Sequence, residues 1–217
     1  MFFDYGATET EYLKRKDKRL GAVIDYIGHV YRPVEPDVFS AVLHHVVGQQ
    51  ISQKAMESVW SKVNALLGNI TPENVMNASC EALRGCGMSL KKAEYITDFA
   101  SKVQSGEFDI GSLERMPDDE AIKYMTSLKG VGVWTAEMML LFSLRRPDVL
   151  SFGDFGIRHG MRMIYRHKEI TKDLFERYRK RYSPYGSVAS LYLWEAAAGR
   201  VPGLTDPAEP RSRKTKK

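Results

Sequence analysis

Apolar residues recur along this chain at spacings of three and four, the period of an α-helix, and no stretch alternates in the manner of a half-buried strand. Leu13, Leu20, Val23, Ile24 and Ile27 line one face of a first helix over 9–26, which Gly28 ends. Asp37 caps a second, in which Phe39, Val42, Leu43, Val46 and Val47 point inward; Gly48-Gln49-Gln50-Ile51 breaks it, and Ser52 caps a third. Thr71-Pro72 reads as a cap with a proline at the first helical position. Gly85-Cys86-Gly87-Met88 reads as a turn, and Ser89 as the cap of a helix whose Leu90, Ala93, Ile96, Phe99, Ala100 and Val103 form one apolar stripe. Further helices are expected after Pro117, over 157–165, over 171–182 and over 187–200, so the predicted fold is all-α, with no internal repeat.

The pattern is most informative from Leu128 to Asp154. Ala121, Tyr124, Met125 and Leu128 share a helical face before Gly130-Val131-Gly132, and Ala136, Met139, Leu140 and Ser143 share one after it, which makes the glycines a tight connection in a helix-hairpin-helix. Glycine permits backbone conformations closed to other residues, and the bared amides at the start of the second helix suit a phosphate. Ser151-Phe152-Gly153-Asp154-Phe155-Gly156 then interrupts the helical pattern and leaves one carboxylate at the head of the next helix, where on residue type alone it is a cap. The Gln49-Gln50 corner reads on its own as a polar turn.

Composition narrows the class. A chain of 217 residues with 43% hydrophobic and 27% charged side chains can bury a sizeable core. It contains no run of apolar residues long enough for a membrane span, and Met1-Phe2-Phe3-Asp4 is unlike a signal peptide, so a cytoplasmic protein with no membrane partner is expected. Cys80 and Cys86 suit a reducing compartment and are too few for a four-cysteine iron–sulfur cluster. Of the net charge of +5, all is carried by the tail 211–217, whose five basic residues have no acid among them; the remainder holds 27 residues of each sign. Net charge is therefore no argument for nucleic-acid binding by the folded part. The cluster Lys14-Arg15-Lys16-Asp17-Lys18-Arg19 reads as the solvated face of the first helix, and the five histidines, with no metal-ligand spacing, as structural.

Four segments in order resemble the helix-hairpin-helix (HhH-GPD) DNA glycosylases, and within them 3-methyladenine DNA glycosylase II: Val-Val-Gly-Gln-Gln-Ile-Ser within 39–54, Gly-Met-Ser-Leu-Lys-Lys-Ala within 83–93, the hairpin through Asp154, and Leu191-Tyr192-Leu193-Trp194. The resemblance implies two helical domains with a DNA-binding cleft between them and the hairpin at the junction. The extended Arg32-Pro33-Val34-Glu35-Pro36 linker places the boundary, giving a central bundle over 36–147, a second domain of 1–35 with 148–210, and a disordered basic tail over 211–217. It implies excision of a 3-methyladenine- or 7-methylguanine-type base flipped out of double-stranded DNA, by a protein expected to be a monomer. Glycosylases for oxidised, deaminated or mismatched bases, and non-catalytic helix-hairpin-helix DNA-binding proteins, are the alternatives.

Asp154 takes the family's catalytic position. A carboxylate facing the sugar carbon stabilises the positive charge that builds as an N-glycosidic bond breaks, and orients or deprotonates water. Trp134 stands where lyase-competent relatives carry a nucleophilic lysine, and an indole forms no Schiff base. With Trp194, and with Phe155 and Met138 as further candidates against plain core packing, it is expected to wall the base pocket, where an electron-deficient alkylated purine stacks well. By resemblance Gln50 is the wedge that enters the duplex, with Gln49 its neighbour. The resemblance further implies that the Gly130, Gly132 and Thr135 amides hold a phosphate, that Lys129 adds charge, and that the carbonyls near Thr126, Leu128 and Val131 can take Na+ or K+. No cofactor is otherwise expected.

Overall fold

The computed structural model describes residues 1–208. The tail 211–217, expected to be disordered, lies outside the described residues. Among those described, the fold is helical, and the only β pairing is an isolated antiparallel bridge between Phe2 and Pro33. Among the described residues no helix is long and apolar enough to cross a membrane. The chain divides into two compact units, one of Val34–Arg145 and one of Met1–Pro33 with the segment from Arg146 onward.

In the first of these units, α3 (Val38–Gly48), α4 (Gln53–Leu67), α5 (Pro72–Asn77), α6 (Cys80–Gly85) and α7 (Leu90–Ser105) precede a short 3-10 helix (Ile110–Glu114), and α8 (Asp118–Met125) and α9 (Val133–Phe142) close it. Side-chain caps start most of them where the sequence places Ser, Thr or Asp: Asp37 accepts from Ser40 N, Ser52 from Ala55 N, Thr71 from Asn74 N and Ser89 from Lys92 N, at 3.2 to 3.3 Å. Helix α7 is the spine, packing on α3, α5 and α6. Its stripe of Ala93, Ile96, Phe99 and Ala100 is buried with Leu43, Val47, Val63 and Leu83.

The second unit holds α1 (Ala7–Lys16), α2 (Lys18–Ile27), α10 (Phe155–Tyr165), α11 (Lys172–Tyr182) and α12 (Gly186–Ala197). Here the single first helix expected over 9–26 is two helices, broken at Asp17, whose backbone is extended (φ −145°, ψ 105°). The break lies inside the charged cluster. Asp17 is only 4% exposed; its Oδ1 accepts from the amides of Arg19 and Leu20, and its Oδ2 accepts from Arg181 at 2.7 Å. A buried carboxylate needs such partners, and they are available only if the helix restarts there. The cluster is therefore not a uniform solvated face.

Helix α12 is buried along most of its length and packs on α10, α2, α1 and α11. Its approach to α10 is set by Gly160, where any Cβ would overlap the Leu193 carbonyl. One turn earlier, a Cβ at Gly156 would stand 2.8 Å from Trp194 Cδ1. Two glycines four residues apart thus let α12 bring its tryptophan against the head of α10.

Candidate active site

The hairpin between α8 and α9 forms in the Val34–Arg145 unit. Val131 N donates to the Leu128 carbonyl at 3.2 Å, closing the turn. Gly130 has φ +82°, and any Cβ there would overlap the Tyr95 ring of α7, so glycine is required twice over, by backbone and by space. Gly132 precedes α9 and supplies no side-chain cap, leaving the first-turn amides, including that of the buried Thr135, in the arrangement that favours an anion. The carbonyl oxygens of Thr126, Leu128 and Val131 are neutral, hard donors; the Leu128 oxygen, with one lone pair in the turn, retains a second for a cation.

Lys129, expected at a phosphate, is ion-paired with Asp98 at 2.9 Å, and that partner raises its pKa. It lies 63% exposed at the surface, with its charge partly compensated by that carboxylate.

The corner between α3 and α4 separates the two glutamines. Gln50 is exposed and left-handed (φ 56°), a conformation few residues with a Cβ adopt, and the exposed Ile51 follows it. Gln49 is half-buried and its Nε2 donates to the Gly130 carbonyl at 2.8 Å, so it ties the corner to the hairpin instead of reaching outward. Lys92, which sequence reasoning passed over, donates from Nζ to the carbonyls of Val47 at 2.8 Å and Gln49 at 2.5 Å. Nothing in its own spacing distinguishes it from Lys91, which faces solvent.

Trp134 is 42% exposed at the start of α9, with its ring edge-on to His45 at a centroid separation of 6.0 Å. Burial, and then the neighbouring His44, push His45 down to about 4, so this imidazole is neutral at physiological pH. A neutral ring there adds no positive charge beside Trp134, which the structural reading of the histidines did not anticipate. Met138 is 2% exposed and belongs to the packing of α9. That burial leaves it no face on which a base could stack, so its place as a pocket candidate is withdrawn.

Asp154 and Trp194 meet within the other unit. Asp154 is buried and caps α10, its Oδ1 accepting from Ile157 N at 2.8 Å; the same oxygen accepts from Trp194 Nε1 at 2.9 Å. Capping and a chemical role do not compete, because the cap fixes where the carboxylate stands. Trp194 is half-buried, and the Arg32 guanidinium lies over its ring at 5.8 Å. Expected as a pocket wall, the indole acts here first as a donor that orients Asp154. Arg32 is a second residue the sequence did not single out, hidden in what reads as a linker. Phe155 is 65% exposed and tilted against His159 at 5.5 Å, with Arg162 at 5.8 Å from its ring, so it is surface rather than core. Arg162 in turn holds the buried Asp206 in a bidentate pair that lowers the Asp206 pKa. Among the described residues no group of three or more His, Cys, Asp or Glu is placed to hold a metal ion.

Comparison with known proteins adds the family. A DNA-3-methyladenine glycosidase from Bacillus halodurans superposes with a TM-score of 0.81 at 38% identity, over 91% of this chain and 92% of that one. A 3-methyladenine DNA glycosylase of Schizosaccharomyces pombe, in complex with abasic DNA, superposes with a TM-score of 0.75 at 29% identity, over 87% and 96%. In sequence, DNA-3-methyladenine glycosylase 1 of S. pombe is 29% identical over 209 residues, 92% of this chain and 90% of its own length. The family described as HhH-GPD superfamily base excision DNA repair protein matches residues 43–184, which contain the corner, the hairpin and Asp154. With the hairpin glycines, the corner and the capped carboxylate in these positions, the chain belongs to the HhH-GPD superfamily of base excision DNA repair proteins.

Proposed function

We infer that this protein is a monofunctional DNA N-glycosylase that excises alkylated purines of the 3-methyladenine and 7-methylguanine type from duplex DNA. The observation that carries the reading is the Asp154 carboxylate, seated on the N-terminus of α10 and gripped by the Trp194 indole. As the bond between C1′ and the base nitrogen breaks, its electrons leave with the base and positive charge develops on the sugar, where a preorganised carboxylate is most effective. Water adds to C1′ and gives up its proton to Asp154 or to solvent. A base that is already cationic departs neutral and needs no proton delivered, so one carboxylate suffices. Trp134 supplies an exposed aromatic face in place of an amine, and a covalent imine at that position is closed to this chain.

Chemistry on a base inside a stacked duplex is sterically blocked, so the target nucleotide is flipped out. The reading gives Gln50 the role of the wedge and gives the Gly130–Thr135 hairpin the role of backbone clamp. Na+ or K+ at the carbonyls of Thr126, Leu128 and Val131 would add positive charge there toward a phosphate.

The test is single-turnover base release from otherwise identical duplexes carrying 7-methylguanine, 8-oxoguanine or uracil. Release of 7-methylguanine should be the fastest, and Asp154→Asn should slow it by about a hundredfold or more while binding to an abasic analogue persists. Faster release of 8-oxoguanine would overturn the substrate assignment, and full activity of the variant would overturn the role of Asp154.

A further inference from the structure

The corner that carries Gln50 is held by polar ties across open space. Beneath it lies a recess of ≈ 230 Å³, lined by Val47, Gln49, Gln50, Met88, Ser89 and Lys92 among others. A loop over such a recess lacks the dense packing that would otherwise dictate its conformation. What crosses the gap is the Lys92 ammonium, which donates to the Val47 carbonyl in the last turn of α3 and to the Gln49 carbonyl beyond it.

The second of these acceptors matters more than the first. The Gln49 carbonyl belongs to the peptide unit whose N–H is that of Gln50. Rotating that one unit changes ψ of Gln49 and φ of Gln50 together, and is the simplest way for Gln50 to leave its left-handed conformation (φ 56°), which costs free energy in a residue with a Cβ. Holding the oxygen opposes that rotation. The Gln49 side chain continues the chain of contacts to the Gly130 carbonyl, and Gly130 rests over Tyr95, three residues along α7 from Lys92. One face of α7 therefore supports both the corner and the hairpin.

We propose that Lys92 is a positioning residue for duplex recognition: its grip on the Val47 and Gln49 carbonyls sets the Gln49–Gln50 peptide so that Gln50 is presented, and through Gln49 keeps the corner in register with the hairpin. The proposal rests on the reading above that corner and hairpin engage DNA. A lysine that served only as a cap for α3 would contribute stability and nothing selective for duplex. A lysine that touched phosphate would contribute to every DNA form alike.

The experiment measures binding of the full chain, by fluorescence anisotropy, to a duplex containing a tetrahydrofuran abasic analogue and to the same strand alone, at several salt concentrations. Lys92→Met should weaken duplex binding by about tenfold, the scale of a lost charged hydrogen bond, and leave single-strand binding within about twofold. Lys92→Arg, which keeps a charged donor, should recover most of the loss, and the salt slope should stay that of the wild type. If Lys92→Met does not fold, as judged by circular dichroism, Lys92→Gln is read by the same ratio. An unchanged duplex-to-single-strand ratio overturns the proposal. So does a salt slope reduced by about 0.9, because that is the signature of a lost phosphate contact. Gln50→Ala, measured alongside, tests what Lys92 presents: the ratio should fall for both variants, and a ratio that falls for Lys92→Met and not for Gln50→Ala rejects the wedge and overturns the presentation of Gln50 by Lys92. Tight duplex binding without base release by the wild type would reject the glycosylase reading alone.

Discussion

Asp154 shows how one residue can satisfy two readings. Its place before a helix makes it a cap on residue type alone, and the structure confirms the cap while adding a second donor from forty residues away. The first contact is local and visible in sequence; the second depends on how α12 packs on α10 and is not. Trp194→Phe isolates it, keeping the aromatic bulk and deleting the N–H. That variant should retain its fold and slow 7-methylguanine release by about tenfold, as loss of a hydrogen bond to a charged group implies. Single-turnover rates on the duplex provide the check, and a rate equal to that of the wild type would return Trp194 to a wall. Lys92, and the tie from Gln49 to the Gly130 carbonyl, were illegible in the same way. Their side chains meet backbone carbonyls, and backbone acceptors leave no mark in the sequence pattern that would point to a partner.

At the scale of elements, most helix starts were legible because their caps are side chains acting on amides two or three residues away. The break at Asp17 was not, since the apolar spacing from Leu13 to Ile24 is compatible with one helix, and the partner that makes the break worthwhile, Arg181, belongs to α11. The hairpin was legible from its glycines, and Tyr95 explains why Gly130 has no substitute. A second close approach can be tested directly. A Cβ at Gly160 meets backbone, the Leu193 carbonyl, which cannot turn aside, so α10 and α12 must separate. Gly160→Ala should therefore cost roughly 1–3 kcal/mol in denaturant unfolding. Base release should fall more than occupancy of the folded state, because α12 carries Trp194 away from Asp154. A variant as stable as the wild type would mean that the two helices tolerate the separation.

Across the whole molecule, the all-helical class followed from periodicity alone, which is a global property and robust to local errors. The net charge said little, its excess lying in a tail outside the described residues. Titration says more. Burial holds His45 near 4 and lowers His44 as well, so in acid the unfolded chain takes up protons that the folded one resists. A group depressed in the folded state contributes stability at pH above its unfolded value, and that contribution is lost as pH falls from about 6.5 toward 4. The melting temperature should drop over that interval, and drop less in His45→Gln. Identical pH profiles for the two proteins would show that the imidazole is solvated after all.

Gln50 has a consequence for durability. Glycine would adopt the same left-handed backbone without the penalty a Cβ brings, so a chain tuned only to survive heat would carry glycine at this tip. It would also carry no side chain there to reach with. If Gln50 enters the duplex as proposed, the corner is a place where ruggedness and reach are in direct conflict, and a glutamine at this tip gives up the first for the second.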